Sequence, residues 1–243
     1  MISFSVISRD ITERKEAEEA RRKEIHHRIK NNLQVISSLL DLQAEKFSDE
    51  NVREAFRESQ NRVISMSLIH EELYEGEETD TLNFPEYIQK LAENLFQTYK
   101  INSTNIHLHI DLGENAFFNM DTAIPLGIIV NELISNSLKH AFVGRDKGEI
   151  RIILYREEKG ECKNEGYKST RFIMTVSDNG MGIPENLDIE DLDSLGLQLV
   201  ASLVEQLDGE LELKRKNGTE FTMKFTVDEK DDHASAPAVR QLI

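Results

Sequence analysis

Between Glu24 and Gln43 the chain reads EIHHRIKNNLQVISSLLDLQ, and positions Ile25, Ile29, Leu33, Ile36, Leu40 and Gln43 recur at spacings of three and four. That is the period of one face of an α-helix. At about 100° per residue these side chains fall within an arc of roughly 80°, leaving His27 about 165° from its centre and His26 about 65° away. Two adjacent histidines are thereby separated: His27 belongs to the solvent face, and His26 borders the seam. The KFSDEN stretch interrupts the pattern with a cap-like Ser48 or Asp49, and Val52, Ala55, Phe56, Ser59, Val63, Met66, Ile69 and Leu73 restart it. A helical hairpin is expected. Two such helices cannot bury their seams alone, so a second copy is expected to complete a four-helix bundle through residues 25–73.

Before this hairpin, Ile2 to Ser8 alternates like a short strand and runs into RDITERKEAEEARRKE, a stretch of helix formers of both charge signs. Thr12 to Lys23 adds little to the seam and reads as a malleable connector. After the hairpin, the acidic Glu75 to Thr81 reads as a hinge. Pro85 to Tyr99 then reads as a helix, Asn105 to Asp111 as a strand, and Ile124 to Phe142 as a helix with Pro125 in its first turn. Strands are expected at Glu149 to Arg156 and Arg171 to Ser177, and a helix from Leu195 to Leu207. Glu210 to Lys216 and Glu220 to Val227 form a closing hairpin across Asn217-Gly218. The fold class is α+β: a helical-hairpin domain followed by a two-layer α/β sandwich. The tail from Asp228 has the polar character of a disordered terminus.

Composition narrows the function classes. A chain of 243 residues, 39% hydrophobic, can hold one large or two modest cores. Its net charge of −16, from 45 acidic and 29 basic residues, works against non-specific attraction to nucleic acid or anionic membrane. The single cysteine, Cys162, lies in a charged stretch, forbids an intrachain disulfide and fits a reducing, cytoplasmic setting. The longest apolar-rich run, Ile124 to Val130, is far short of the about 20 residues that span a bilayer.

Three further stretches carry chemistry. In NELISNSLKH, the spacing of Glu132, Asn136, Lys139 and His140 puts a carboxylate, an amide and a cation on one helical face, a set suited to a hydrated Mg²⁺ bridging phosphates. In DNGMGIP, Asp178 ends a strand where it can accept a hydrogen bond from an adenine amino group, and Gly180 and Gly182 permit close backbone approach ahead of Ile183. In SLGLQLV, Gly196 and Leu197 open a helix whose N-terminus favours phosphate. Thr219 follows in GTEF. Taken singly, each has an ordinary reading as a solvated face, a turn or a helix start.

Together, and in this order over Leu82 to Val227, these residues resemble the ATP-binding domain shared by histidine kinases, certain chaperones, mismatch-repair ATPases and type II topoisomerases. The resemblance implies Asn136 as the Mg²⁺ ligand, with Glu132 a further candidate, Asp178 as the adenine-binding acid, and Gly180 and Gly182 as the hinge of a nucleotide lid. It implies Gly196 in the second glycine box and Thr219 near the adenine. Upstream, His27-Arg28-Ile29-Lys30-Asn31 resembles the phosphoacceptor box of the histidine-kinase subgroup related to the HWE kinases. The chain has no tryptophan, and Asn131 stands where those kinases proper carry histidine, which places it beside them. The Asp10-Ile11-Thr12 junction resembles the close of PAS sensor domains.

The resemblance implies a sensor histidine kinase: His27 takes the γ-phosphoryl of Mg²⁺-ATP and passes it to an aspartate on a response-regulator receiver domain. Arg28 replaces the usual acid after the histidine. Glu24 or Glu132 is then expected in the acidic role, with Arg28 or Lys30 steadying phosphate oxygens and Asn31 sharing His27's face. The expected organisation is 1–11 as a sensor remnant, 12–77 as signalling helix and phosphoacceptor hairpin, 82–228 as ATP-binding domain and 229–243 as tail. The rival readings are an ATPase or Ser/Thr protein kinase of the same fold, and a non-catalytic dimerisation scaffold.

Overall fold

The computed structural model describes residues 3–75, 81–99, 105–113, 116–157, 162–163, 167–183 and 195–230. Two compact units result: Met1–Leu95 with Phe117–Asn131, and Phe96–Ala116 with Glu132–Ile243.

The first unit is built on α1 (Ser3–Ala44) and α2 (Glu50–Glu75). The strand expected at Ile2 to Ser8 is not observed: from Ser3 onward the chain is helical. A lone strand leaves its backbone groups without a ladder, whereas a helix satisfies them internally. Of the two candidate caps it is Asp49 that starts α2, its Oδ1 accepting the Asn51 N–H at 2.8 Å. Phe47 and Phe56 stack at 5.5 Å beside that turn.

The seam between the helices is rotated from the expected arc. His26, Ile29, Lys30, Leu33, Ser37, Leu40 and Ala44 are half-buried along one side of α1, while Ile25, Ile36 and Gln43 remain exposed. Val35, Leu39 and Leu42 are exposed as well, at 59%, 53% and 57%, so α1 carries a second apolar face that α2 does not cover. Toward its C-terminal half, α2 buries Asn61, Ser65, Ile69 and His70. Tyr87 of α3 (Phe84–Thr98) donates from its hydroxyl to the Ser65 carbonyl at 3.4 Å. Phe84, Ile88, Leu91 and Leu95 give α3 its buried face, and the short strands β1 (Leu82–Asn83) and β3 (Phe117–Phe118) pair beside it.

Helix α4 begins at Met120 rather than Ile124, because Asn119 caps it: Oδ1 accepts the Thr122 N–H at 3.0 Å. Pro125 therefore lies inside the helix and not in its first turn. The helix runs to Asn136, and a π-helical turn, Ser137–Ala141, replaces the α-helical continuation expected to Phe142. Isolated π turns of this kind are enriched at functional sites.

The second unit is organised by β2 (Asn105–Leu112), β4 (Lys147–Glu157), β6 (Tyr167–Asp178), β7 (Glu210–Lys214) and β8 (Thr219–Lys230), in spatial order β2-β4-β6-β8-β7. Strand β2 runs parallel to β4 and the remaining pairs are antiparallel. Cys162 lies in β5 (Cys162–Lys163), paired to β6. Strand β8 continues through Asp228 to Lys230, opposite Ser169 to Tyr167, so the first residues of the expected tail are strand. The rest of that tail, 231–243, lies outside the described residues. Cross-strand rows Ile152-Val176-Phe221 and Leu154-Met174-Met223 supply the buried face, with Leu197, Val200 and Val204 of α5 (Leu195–Gln206) buried as well. The same register sets Ile150, Asp178 and Thr219 in one row at the end of the sheet.

Candidate functional site

That end row opens into a cleft of about 300 Å³, lined by Leu133, Asn136, Ser137, His140, Ala141, Val176, Asp178, Met181, Gly182, Ile183, Leu197, Thr219 and Phe221. The size falls at the lower end of small-molecule sites. Its walls are mainly apolar and its polar groups few, the arrangement expected for a planar, largely apolar ligand oriented by a handful of hydrogen bonds. Asp178 is the most firmly placed of them. Its Oδ1 accepts the Gly180 N–H at 2.9 Å, and Ser137 Oγ stands 3.0 Å from its Oδ2 and 3.1 Å from the Leu133 carbonyl. A carboxylate held from both sides retains further lone pairs for an amino group entering the cleft.

Two glycines make this geometry possible. A Cβ on Gly180 would lie 2.3 Å from the Ala141 carbonyl oxygen, because the loop after β6 crosses directly over the π turn and Met181 N–H donates to that same carbonyl at 2.9 Å. Gly218, at φ +119°, passes so near β6 that a Cβ would fall 1.9 Å from the Asp178 carbonyl oxygen. Asn217 precedes it at φ 62°, giving the closing hairpin the left-handed pair expected of an Asn-Gly turn.

Of the candidate residues, Asn136, His140, Asp178, Gly182, Ile183, Leu197 and Thr219 line this one cleft. Gly180 and Gly196 are buried and do not line the cleft, Gly180 packing against Ala141 and Gly196 lying in the first turn of α5. Lys139 and Glu132 are placed differently from the single face expected. The π turn rotates Lys139 away from the lining, and its Nζ sits 5.6 Å from the Tyr99 ring centroid, within cation–π range. Glu132 is buried at 5% exposure and does not line the cleft. Sequence reasoning missed Ser137, Val176 and Phe221. The last two were recoverable, since each lies two residues along its strand from Asp178 or Thr219 and shares that face; Ser137 carried no local signal.

On the hairpin, His27 is exposed and His26 half-buried, as the angular count requires. His26 Nδ1 lies 3.1 Å from His70 Nδ1 on α2. Burial, and then the charge of His26, hold the His70 pKa below the usual histidine value. His27 Nδ1 instead meets the Asn31 amide at 3.3 Å. The carboxylate expected beside it is elsewhere: Glu24 binds Arg28 at 2.5 Å, an exposed i,i+4 pair. Lys30 reaches across the seam to Glu71.

An α/β unit whose sheet ends in an apolar cleft bearing Asn136 and Asp178, together with a helical hairpin that exposes His27, marks an α+β protein with a small-molecule cleft. Comparison with known proteins supplies the family. Residues 24–99 match the family described as histidine kinase, and residues 121–229 match the histidine kinase-, DNA gyrase B-, and HSP90-like ATPases. The chain belongs to the histidine kinases. It is 32% identical over 238 residues to the sensor histidine kinase PdtaS of Mycobacterium tuberculosis, covering 93% of this chain and 44% of that protein. It is 26% identical over 196 residues to the blue-light-activated histidine kinase 2 of Erythrobacter litoralis, covering 79% of this chain and 52% of that one. The chain therefore spans about half the length of these relatives. The histidine kinase domain of the EL346 blue-light-activated kinase from Erythrobacter litoralis shares the fold, with a TM-score of 0.58 at 24% identity over 86% of this chain and 95% of that one. Among the described residues, no helix is long and apolar enough to cross a membrane.

Proposed function

We propose that this chain autophosphorylates His27 from Mg²⁺-ATP and passes the phosphoryl group to an aspartate of a response-regulator receiver domain, in a cytoplasmic setting. The observation that carries the reading is the pairing of an exposed histidine on α1 with a cleft that gathers Asn136, Asp178 and Thr219. Asp178 selects the adenine by accepting from its amino group, and Thr219, beside it in register, adds a hydroxyl. Asn136 offers a hard oxygen at the cleft, which fits an ion that keeps several waters and takes its other ligands from phosphates. Mg²⁺ held there would neutralise charge on those phosphates. His27 supplies the nucleophile, and Arg28 or Lys30, released from Glu24 or Glu71, steadies the transferring oxygens.

The working form is a homodimer. Val35, Leu39 and Leu42, with Ile25 and Ile36, leave α1 an apolar face that a second hairpin would cover in a four-helix bundle. In keeping with its sequence, 12–77 acts as signalling helix and phosphoacceptor hairpin and 82–228 as the nucleotide domain.

Incubation with γ-labelled ATP and Mg²⁺ tests the proposal. Acid-labile label should appear on the protein, vanish in His27→Ala and persist in His26→Ala. Acid-stable label or free phosphate would instead make the chain a Ser/Thr kinase or an ATPase, and no turnover would make it a scaffold.

A further inference from the structure

Asp178 is held at both carboxylate oxygens, and the two holders differ in kind. The Gly180 N–H, which donates to Oδ1 at 2.9 Å, belongs to the loop after β6 and comes with the backbone. The other is a side chain: Ser137, 7% exposed at the start of the π turn, sets its Oγ 3.0 Å from Oδ2. The same Oγ stands 3.1 Å from the Leu133 carbonyl, the back-bond open to any helical serine. One hydroxyl proton thus faces two acceptors. The carboxylate is the charged one, and charge-assisted bonds are roughly twice as strong as neutral ones, so the proton goes to Asp178.

That second bond matters because the terminal torsion of an aspartate is soft. Its χ2 is broad and roughly two-fold, so a carboxylate tied at one oxygen still rocks about its Cβ–Cγ bond. Tied at both, it keeps one plane, and its remaining lone pairs keep one direction. An ionised carboxylate only accepts, and a hydroxyl whose single proton is committed to it has nothing else to donate. The pair therefore offers acceptors alone, which suits a ring bearing an amino group and disfavours one bearing a carbonyl at the same place.

We propose that Ser137 is a positioning residue for the base of the nucleotide, pinning the Asp178 carboxylate in the plane that receives the 6-amino group, an inference that rests on ATP being the ligand of this cleft. Ser137 acts through Asp178 and needs no contact with the base. Its effect is therefore conditional: the hydroxyl stabilises bound nucleotide only when the base carries that amino group.

The test is a cycle of protein and ligand changes, read by titration calorimetry on the full chain. Mg²⁺-ATP is compared with Mg²⁺-purine riboside triphosphate, the same nucleotide without its 6-amino group. The native chain should bind ATP at least about tenfold more tightly. Ser137→Ala should raise the ATP Kd about fivefold and leave the other Kd within about twofold, so that the preference for ATP falls about fivefold. Ser137→Thr keeps the hydroxyl and should hold the native preference; any packing cost of its methyl weakens both nucleotides and cancels. An unchanged preference in Ser137→Ala overturns the proposal, because a merely structural serine acts on the two nucleotides alike. So does a preference as low in Ser137→Thr as in Ser137→Ala. If the native chain binds neither nucleotide, the ATP reading falls and this inference with it. If it binds both equally, that reading stands and the role of Ser137 alone is overturned.

Discussion

Nδ1 of His26 and Nδ1 of His70 stand 3.1 Å apart, tying α1 to α2 one residue before the exposed His27. One of the two nitrogens must donate and the other accept, so the tie exists with a single Nδ1 proton and is broken when both rings carry one. His70, 8% exposed, resists protonation because burial, and then the charge of His26, disfavour its cation.

A pH dependence of stability follows. The His70 pKa is lowered on folding from 6.5, so as pH falls through that value the unfolded chain binds a proton that the folded hairpin refuses, and stability falls with pH. The contribution is complete above the histidine range and is lost on acidification below it. Calorimetric Tm against pH should decline from pH 6.5 downward, and His70→Gln should flatten that decline. A native-like slope in the variant would assign the acid sensitivity to other groups.

Asp178→Asn should weaken nucleotide binding more than it weakens the fold. Both carboxylate oxygens already accept from the protein, Oδ1 from Gly180 and Oδ2 beside Ser137. An amide must turn its NH₂ either toward one of these donors or toward the adenine amino group. The loss of a charge-assisted bond of about 1.5–3 kcal/mol corresponds to an ATP Kd raised about 10- to 150-fold, measurable by titration calorimetry.

Gly180→Ala should act through the π turn. Its Cβ would meet the Ala141 carbonyl at 2.3 Å, and that oxygen already accepts from Met181. Backbone cannot yield as a flexible side-chain tip can. Denaturant unfolding should report a loss of about 1–3 kcal/mol, the range for overpacking a filled site, together with weaker ATP binding.

Leu39→Glu should convert dimer to monomer in sedimentation velocity while leaving helix content near native. Leu39 is already exposed in the single hairpin, so a charge there costs the monomer little; in a covered dimer face it would be buried without a partner. A variant that remains dimeric would move the interface off this face.

Much of the site was legible because its chemistry is local. Asp178 at a strand end, Asn217-Gly218 between two strands and Gly196 at a helix start each follow from the dihedral and hydrogen-bonding limits of a few neighbouring residues. The same holds for His27, whose exposure follows from helical angle alone. Helix α4 starts earlier than the sequence predicts because a lone asparagine, Asn119, outweighs the more conspicuous Pro125 in setting its start.

What the amino-acid order determined by itself was which polar residues stand at motif spacing and, for His26 and His27, which side of the helix each occupies, since period and propensity act within one element. Tertiary structure decided which elements meet. The partner of His26 is His70, 44 positions along the chain, and only the packing of α1 on α2 could select it. The β6–β8 register set Thr219 opposite Asp178, and the turn at Ser137–Ala141 kept His140 in the cleft while turning Lys139 toward Tyr99. The seam of α1 rotated away from its most regular apolar row because burial is shared among whole elements, and no single helix contains that information.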